Sequence, residues 1–98
     1  MSVSEADIAF ALELFEPLGN LSVRKMFGGI CVYHDGTVFA LMSSEGRLYL
    51  KAKEDVAEAL IEAGEDRFHN MPYWSLPEDA LEDPEIALDW ANRALRSL

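Results

Sequence analysis

Three side chains in this 98-residue sequence are suited to nucleophilic or metal chemistry: Cys31, His34 and His69. A thiol needs a base within hydrogen-bond reach to become a useful nucleophile. Cys31 and His34 stand three apart in "GGICVYHDGTV", whose alternation is that of a β-strand, so their side chains point to opposite faces. Nothing in the sequence brings His69 to Cys31. The three are too scattered for metal-ligand spacing, and no metal or other cofactor is expected. Glu78, Asp79, Glu82, Asp83 and Glu85 resemble an acid cluster, yet they surround a helix start, where negative charge is favourable for ordinary reasons. Gly28 and Gly29 lack the Lys-Ser/Thr partner and the following helix of a phosphate loop, and a bend between strands accounts for them better. No catalytic residue is indicated, and the chain reads as a non-enzyme.

The charge balance narrows the partners. Eighteen acidic against eight basic residues give a net charge of −10, which repels nucleic-acid phosphates at long range unless the cations cluster. They cluster modestly: Arg24, Lys25, Arg47, Lys51 and Lys53 all precede Glu54, after which the acids dominate. Ordinary solvated lysines and arginines on a sheet edge explain this distribution better than a nucleic-acid footprint. The single cysteine excludes an internal disulfide framework and fits a reducing compartment. No apolar run approaches the roughly 20 residues needed to cross a bilayer, and "MSVSEADIAF" is not a secretory leader. A cytoplasmic protein without membrane association, one domain over residues 1–98, is the expectation.

The elements that must carry these residues are readable from periodicity. Ser4 and Asp7 form a capping-box variant before Ile8, Ala11, Leu12 and Phe15, predicting a helix over 4–16 that Pro17, Gly19 and Asn20 terminate. "LSVRKMF" is β-compatible. Asp35-Gly36 is a two-residue hairpin signal, and Glu45-Gly46 reads as a second tight turn. On a flat ladder these turns pair His34 with Thr37, Val32 with Phe39, Ile30 with Leu41, Leu41 with Leu50 and Ser43 with Leu48. Ile30, Val32, Phe39, Leu41, Leu48 and Leu50 then form the core face. A second helix over 54–63, a short edge strand in "YWSL" and a last helix begun by Asp83-Pro84 complete an α+β domain.

The opposite face of that ladder receives Cys31, Tyr33, Val38, Ala40, Met42, Arg47, Tyr49 and Lys51. Aromatic, methionine and arginine side chains on an uncovered face have the composition of an interface core. Tyr33, Tyr49, Arg47, Lys51 and Met42 are therefore the candidate contact residues, with Arg24 and Lys25 as a basic rim. A protein partner or a second copy of the chain fits this face best; a nucleic-acid-binding regulator and a small-molecule sensor are the alternatives.

The motifs "RKMFGG", "YHDGTVFAL", "GRLYLK", "MPYWSLPEDALEDPE" and "WANRAL", in this order and spacing, resemble the N-terminal domain of the TfoX (Sxy) family of bacterial competence regulators. The resemblance runs from about residue 21 to 95. It implies a two-layer α+β fold similar to that of secretion chaperones, with helices on one face of a mainly antiparallel sheet. It also implies a part in regulating transcription of transformation genes, and brings no catalytic residue or cofactor. The positions that match are mostly structural: Gly28, Gly29 and Gly36 at bends, and Phe27 and Phe39 as core aromatics. Tyr49 and Lys51 match on the outer face. The larger family members carry a helical C-terminal domain that this sequence lacks.

Overall fold

A computed structural model describes residues 3–26 and 28–98. The expectation for Phe27 lies outside the described residues. Five strands form one antiparallel sheet in sequence order: β1 (Leu21–Met26), β2 (Gly29–His34), β3 (Thr37–Met42), β4 (Leu48–Lys51) and β5 (Tyr73–Ser75). Among the described residues four α-helices accompany it: α1 (Glu5–Phe15), α2 (Glu54–Glu62), α3 (Glu78–Glu82) and α4 (Pro84–Ser97). The α+β architecture agrees with the sequence reading.

Local chemistry explains the boundaries. The Ser4 hydroxyl accepts from the Asp7 N–H while the Asp7 carboxylate accepts from the Ser4 N–H, satisfying two donors that a helix start leaves unpaired. Asp83 caps α4 by accepting from the Glu85 N–H, ahead of Pro84 in the first turn. Along α4, Ala87, Ala91 and Ala94 form a fully buried stripe, and their small side chains let the helix lie close on the sheet. Asp35 and Gly36 both take positive φ, 49° and 79°, as a type I′ turn requires. The helix α3 was not foreseen; it is short and follows directly from Pro77.

The ladder is not flat, and this corrects the expected register. Thr37 and Val38 pair with His34 and Tyr33 as anticipated, but Val32 then pairs with Ala40, leaving Phe39 as an extra residue. The result is a β-bulge, in which two residues of one strand oppose one of the other. Phe39 and Ala40 both turn to the helices, where Phe39 meets the Phe15 ring edge to face at 5.1 Å between centroids. Beyond the bulge the β3 residues Ala40, Leu41 and Met42 change face, while the partners on β2 and β4 keep theirs. Ile30 pairs with Met42 and Cys31 with Leu41; on the other side Ala40, Leu41 and Met42 pair with Leu50, Tyr49 and Leu48. Met42 is thus a core residue, 2% exposed, rather than a contact residue, and Ala40 joins it. Leu41 moves from the expected core to the outer face. The second turn is also longer than a two-residue loop: residues 43–47 connect β3 to β4, with Gly46 N–H donating to the Ser43 carbonyl.

The main core lies between the sheet and the helices, built on Phe15, Ile30, Val32, Phe39, Leu50 and Leu60. A smaller cluster of Cys31, Leu41, Tyr49 and Tyr73 lies on the opposite face, with Tyr33, Val38 and Phe68 packed against it. No helix among the described residues is long and apolar enough to cross a membrane.

Candidate functional site

The outer cluster is partly roofed by the loop of residues 63–72. Ser75 anchors the start of this loop: its hydroxyl donates to the Glu65 carboxylate at 2.7 Å and accepts from the Asp66 N–H at 2.9 Å. The backbone then runs alongside β5, with Ser75 N–H donating to the Asp66 carbonyl and Phe68 N–H to the Tyr73 carbonyl. Arg67 closes the loop on itself by donating from Nε to the Met71 carbonyl at 2.9 Å. His69, at φ 53°, occupies the left-handed region and turns the chain back.

This loop places Phe68 over Tyr49, with ring centroids 4.9 Å apart. Beside the roof, a groove of about 400 Å³ remains open to solvent, lined chiefly by apolar side chains. Its floor carries Cys31, Tyr33, Val38 and Leu41; Phe68, His69 and Met71 come from the loop, and Ser43, Ser44 and Glu45 from the β3–β4 connection. Met26 and Met71, each 44% exposed, contribute large apolar side chains to its walls. Gly29 pairs with Met26 at the groove, and its missing side chain lets the Met42 carbonyl approach closely.

The expected contact residues separate into three groups. Tyr33 lines the groove and stays half-buried. Tyr49 is 8% exposed beneath Phe68, and Arg47 lies over its ring at 5.5 Å while donating to Asp66 at 3.0 Å, so both serve to hold the roof. That hydrogen bond, helped by the charges around it, pushes the Arg47 pKa up and keeps the guanidinium charged. Arg24, Lys25 and Lys51 stand apart from the groove lining; Arg24 shares the outer face with its partner Cys31, and Lys51 shares it with Tyr73. Met42 belongs to the core, as described above. Sequence reading missed Phe68, Met71 and Leu41, because loop residues carry no periodicity and the bulge hid the face of Leu41.

The groove holds little reactive chemistry. Burial raises the Cys31 pKa, which disfavours the thiolate a nucleophile needs. The Cys31 thiol makes a 4.0 Å contact with the Met26 sulfur, and His69 lines the same groove without a hydrogen bond to it. His34 points away and meets the Gly19 carbonyl at 2.7 Å. Burial also raises the Tyr73 phenol, reinforced by Cys31 and Tyr33 nearby. Among the described residues no three His, Cys, Asp or Glu side chains converge to hold a metal ion.

No curated protein matches the chain. The family model of the TfoX N-terminal domain matches residues 13–98, a span that includes all five strands and the roofing loop, and the chain belongs to that family.

Proposed function

We propose that this domain is a non-enzymatic regulatory module of the cytoplasm that recognises a partner protein, taking an apolar side chain of the partner into the outer-face groove. The observation that carries this reading is the open apolar groove itself, walled by two exposed methionines on the face opposite the helices. Methionine adapts its shape to varied apolar partners, and burying it against one gains the free energy of removing apolar surface from water. The raised pKa of the Cys31 thiol and the chiefly apolar lining of the groove support binding rather than turnover. Membership of the TfoX N-terminal domain family, whose motifs resemble those of competence regulators, supports the regulatory setting of this proposal.

The test is affinity capture from source-cell cytosol with the wild-type domain and a Tyr33→Glu, Met71→Glu double variant whose melting curve shows that it folds. A protein retained by the wild type and lost by the folded variant supports the reading; equal retention by both removes it. The groove volume also falls within the roughly 300–1,000 Å³ of small-molecule sites, which favours a sensor as the second reading. Stabilisation of the wild type but not the variant by a metabolite in a thermal-shift screen would select that alternative.

A further inference from the structure

The two edges of the sheet are treated differently. Along β5, residues 66–68 supply backbone partners and Arg67 bridges to Trp74, so this edge is closed. The other edge is β1, six residues long and mostly exposed. Asp35 N–H donates to the Asn20 carbonyl, which fixes the alternation of the β1–β2 ladder. Ser22, Arg24 and Met26 turn their backbone groups to β2, and Leu21, Val23 and Lys25 turn theirs outward. Among the described residues no backbone or side-chain group takes these outward groups.

The Arg24–Lys25 end of this edge carries charge opposite to that of the chain as a whole, while Glu13 and Glu16 adjoin its Leu21 end. Arg24 and Lys25 are exposed and, among the described residues, neither is ion-paired, in a chain of net charge −10. Lysine on an open edge discourages unselective pairing. The same two cations discriminate between incoming strands, repelling basic ones and attracting acidic ones. Met26, at the end of this strand, is also a wall of the groove, so a chain lying along β1 passes beside the groove entrance.

We propose that β1 accepts an extended, acidic segment of a partner protein as a sixth strand, paired through the outward backbone groups of Leu21, Val23 and Lys25. Arg24 lies on the outer face and Lys25 on the helix side of the strand, so carboxylates on both faces of that segment meet them. This surface adjoins the groove but does not depend on it: backbone pairing and charge select the strand, whereas the groove selects an apolar side chain.

The test uses a fluorescein-labelled nine-residue peptide of valines with paired adjacent glutamates, so that carboxylates stand on both of its faces, with a lysine-for-glutamate counterpart and a version N-methylated throughout its central residues. The acidic peptide should bind in fluorescence anisotropy and slow amide exchange specifically at Leu21, Val23 and Lys25. Lys25→Ala should weaken binding severalfold, and a folded Lys25→Pro, which also removes an outward N–H, should abolish it. N-methylation should abolish it whether or not the proline variant folds. Equal binding of the lysine or N-methylated peptide, no binding of the acidic one, or unchanged exchange at those three amides would overturn the proposal. A dimer of the protein alone that Lys25→Pro dissolves would assign the edge to a second copy instead and overturn it too. Tyr33→Glu with Met71→Glu should leave peptide binding within twofold, so failure of the groove reading remains distinguishable from failure of this one.

Discussion

The bulge at Phe39 can be tested by placing the same charge on two adjacent residues. On a flat ladder Leu41 faces the helices and Met42 faces out; in the structure the two are exchanged. Replacing Leu41 by lysine removes a side chain whose full burial is worth about 1.5–3 kcal/mol. The lysine methylenes can cover much of the same wall while the ammonium leaves through the open groove, so the net loss should be about 1–2 kcal/mol. For a domain of this size, each kcal/mol lowers Tm by roughly 4–8 °C. Met42 at 2% exposure offers no exit. Met42→Lys loses core packing worth about 2–5 kcal/mol and traps a charge at a cost of several more. Together these rival the whole stability of a typical domain, about 5–15 kcal/mol. Circular dichroism with thermal melting should find Leu41→Lys folded with a lowered Tm and Met42→Lys unfolded. A folded Met42→Lys beside an unfolded Leu41→Lys would refute the bulge.

Three further outcomes follow from particular contacts. Gly29→Ala drives its new Cβ into the Met42 carbonyl and should cost about 1–3 kcal/mol or more in urea unfolding. Gly36→Ala meets nothing and should lose only the left-handed backbone preference, about 1–2 kcal/mol; equal stability of Gly29→Ala and wild type would count against the close β2–β3 approach. Phe68→Ala uncovers Tyr49 and loosens the roof, so Cys31 should react faster with an aromatic disulfide reagent at a stability loss of about 1–2 kcal/mol; an unchanged labelling rate would show that the loop does not guard the thiol. The raised Cys31 pKa means that the folded state holds this proton more tightly than the unfolded state. Its contribution is complete below the ordinary thiol value of 9.0 and lost as pH rises past it. Cys31→Ala should therefore flatten the alkaline fall in Tm, and superimposable pH profiles would exclude the thiol as a source of that fall.

Much of the scaffold was readable because its signals are local. Ser4 with Asp7, Asp35-Gly36 and Asp83-Pro84 each satisfy or preset nearby backbone groups, and each marks the element it was expected to mark. The faces of β3 were less legible. "VFALM" is apolar throughout, so no alternation reports that Phe39 and Ala40 both point inward, and hairpin geometry alone assumes a ladder without an extra residue. Tyr33 was correctly placed on the outer face, whereas Tyr49 received a contact role because the loop that buries it follows nineteen residues later. Phe68 reaches Tyr49 only through the Ser75, Glu65 and Asp66 hydrogen bonds, which depend on tertiary pairing rather than on sequence spacing.

The placement of charge gives the groove and the open edge a common physical setting. Fourteen of the eighteen acidic residues lie in or cap the helices, while five of the eight basic ones lie on the strands, the β3–β4 connection or the roofing loop. The strong negative charge therefore belongs to the helical layer, and the sheet side is nearly balanced. Of its cations, Arg47 is tied to Asp66, which stabilises the roof, and Arg67 lies over Trp74. Arg24 and Lys25 stay exposed on β1 and Lys51 half-buried at the end of β4. An acidic partner approaching the outer face meets Arg24 and Lys51 at the surface and the apolar floor behind them, one lying along β1 meets Lys25 as well, and one approaching the helices meets repulsion. Because the surface cations remain solvated, raising the salt should weaken an acidic strand on β1 far more than an apolar side chain in the groove. Salt dependence thus separates the two contacts without any substitution: equal loss at both would mean that they are not physically distinct sites.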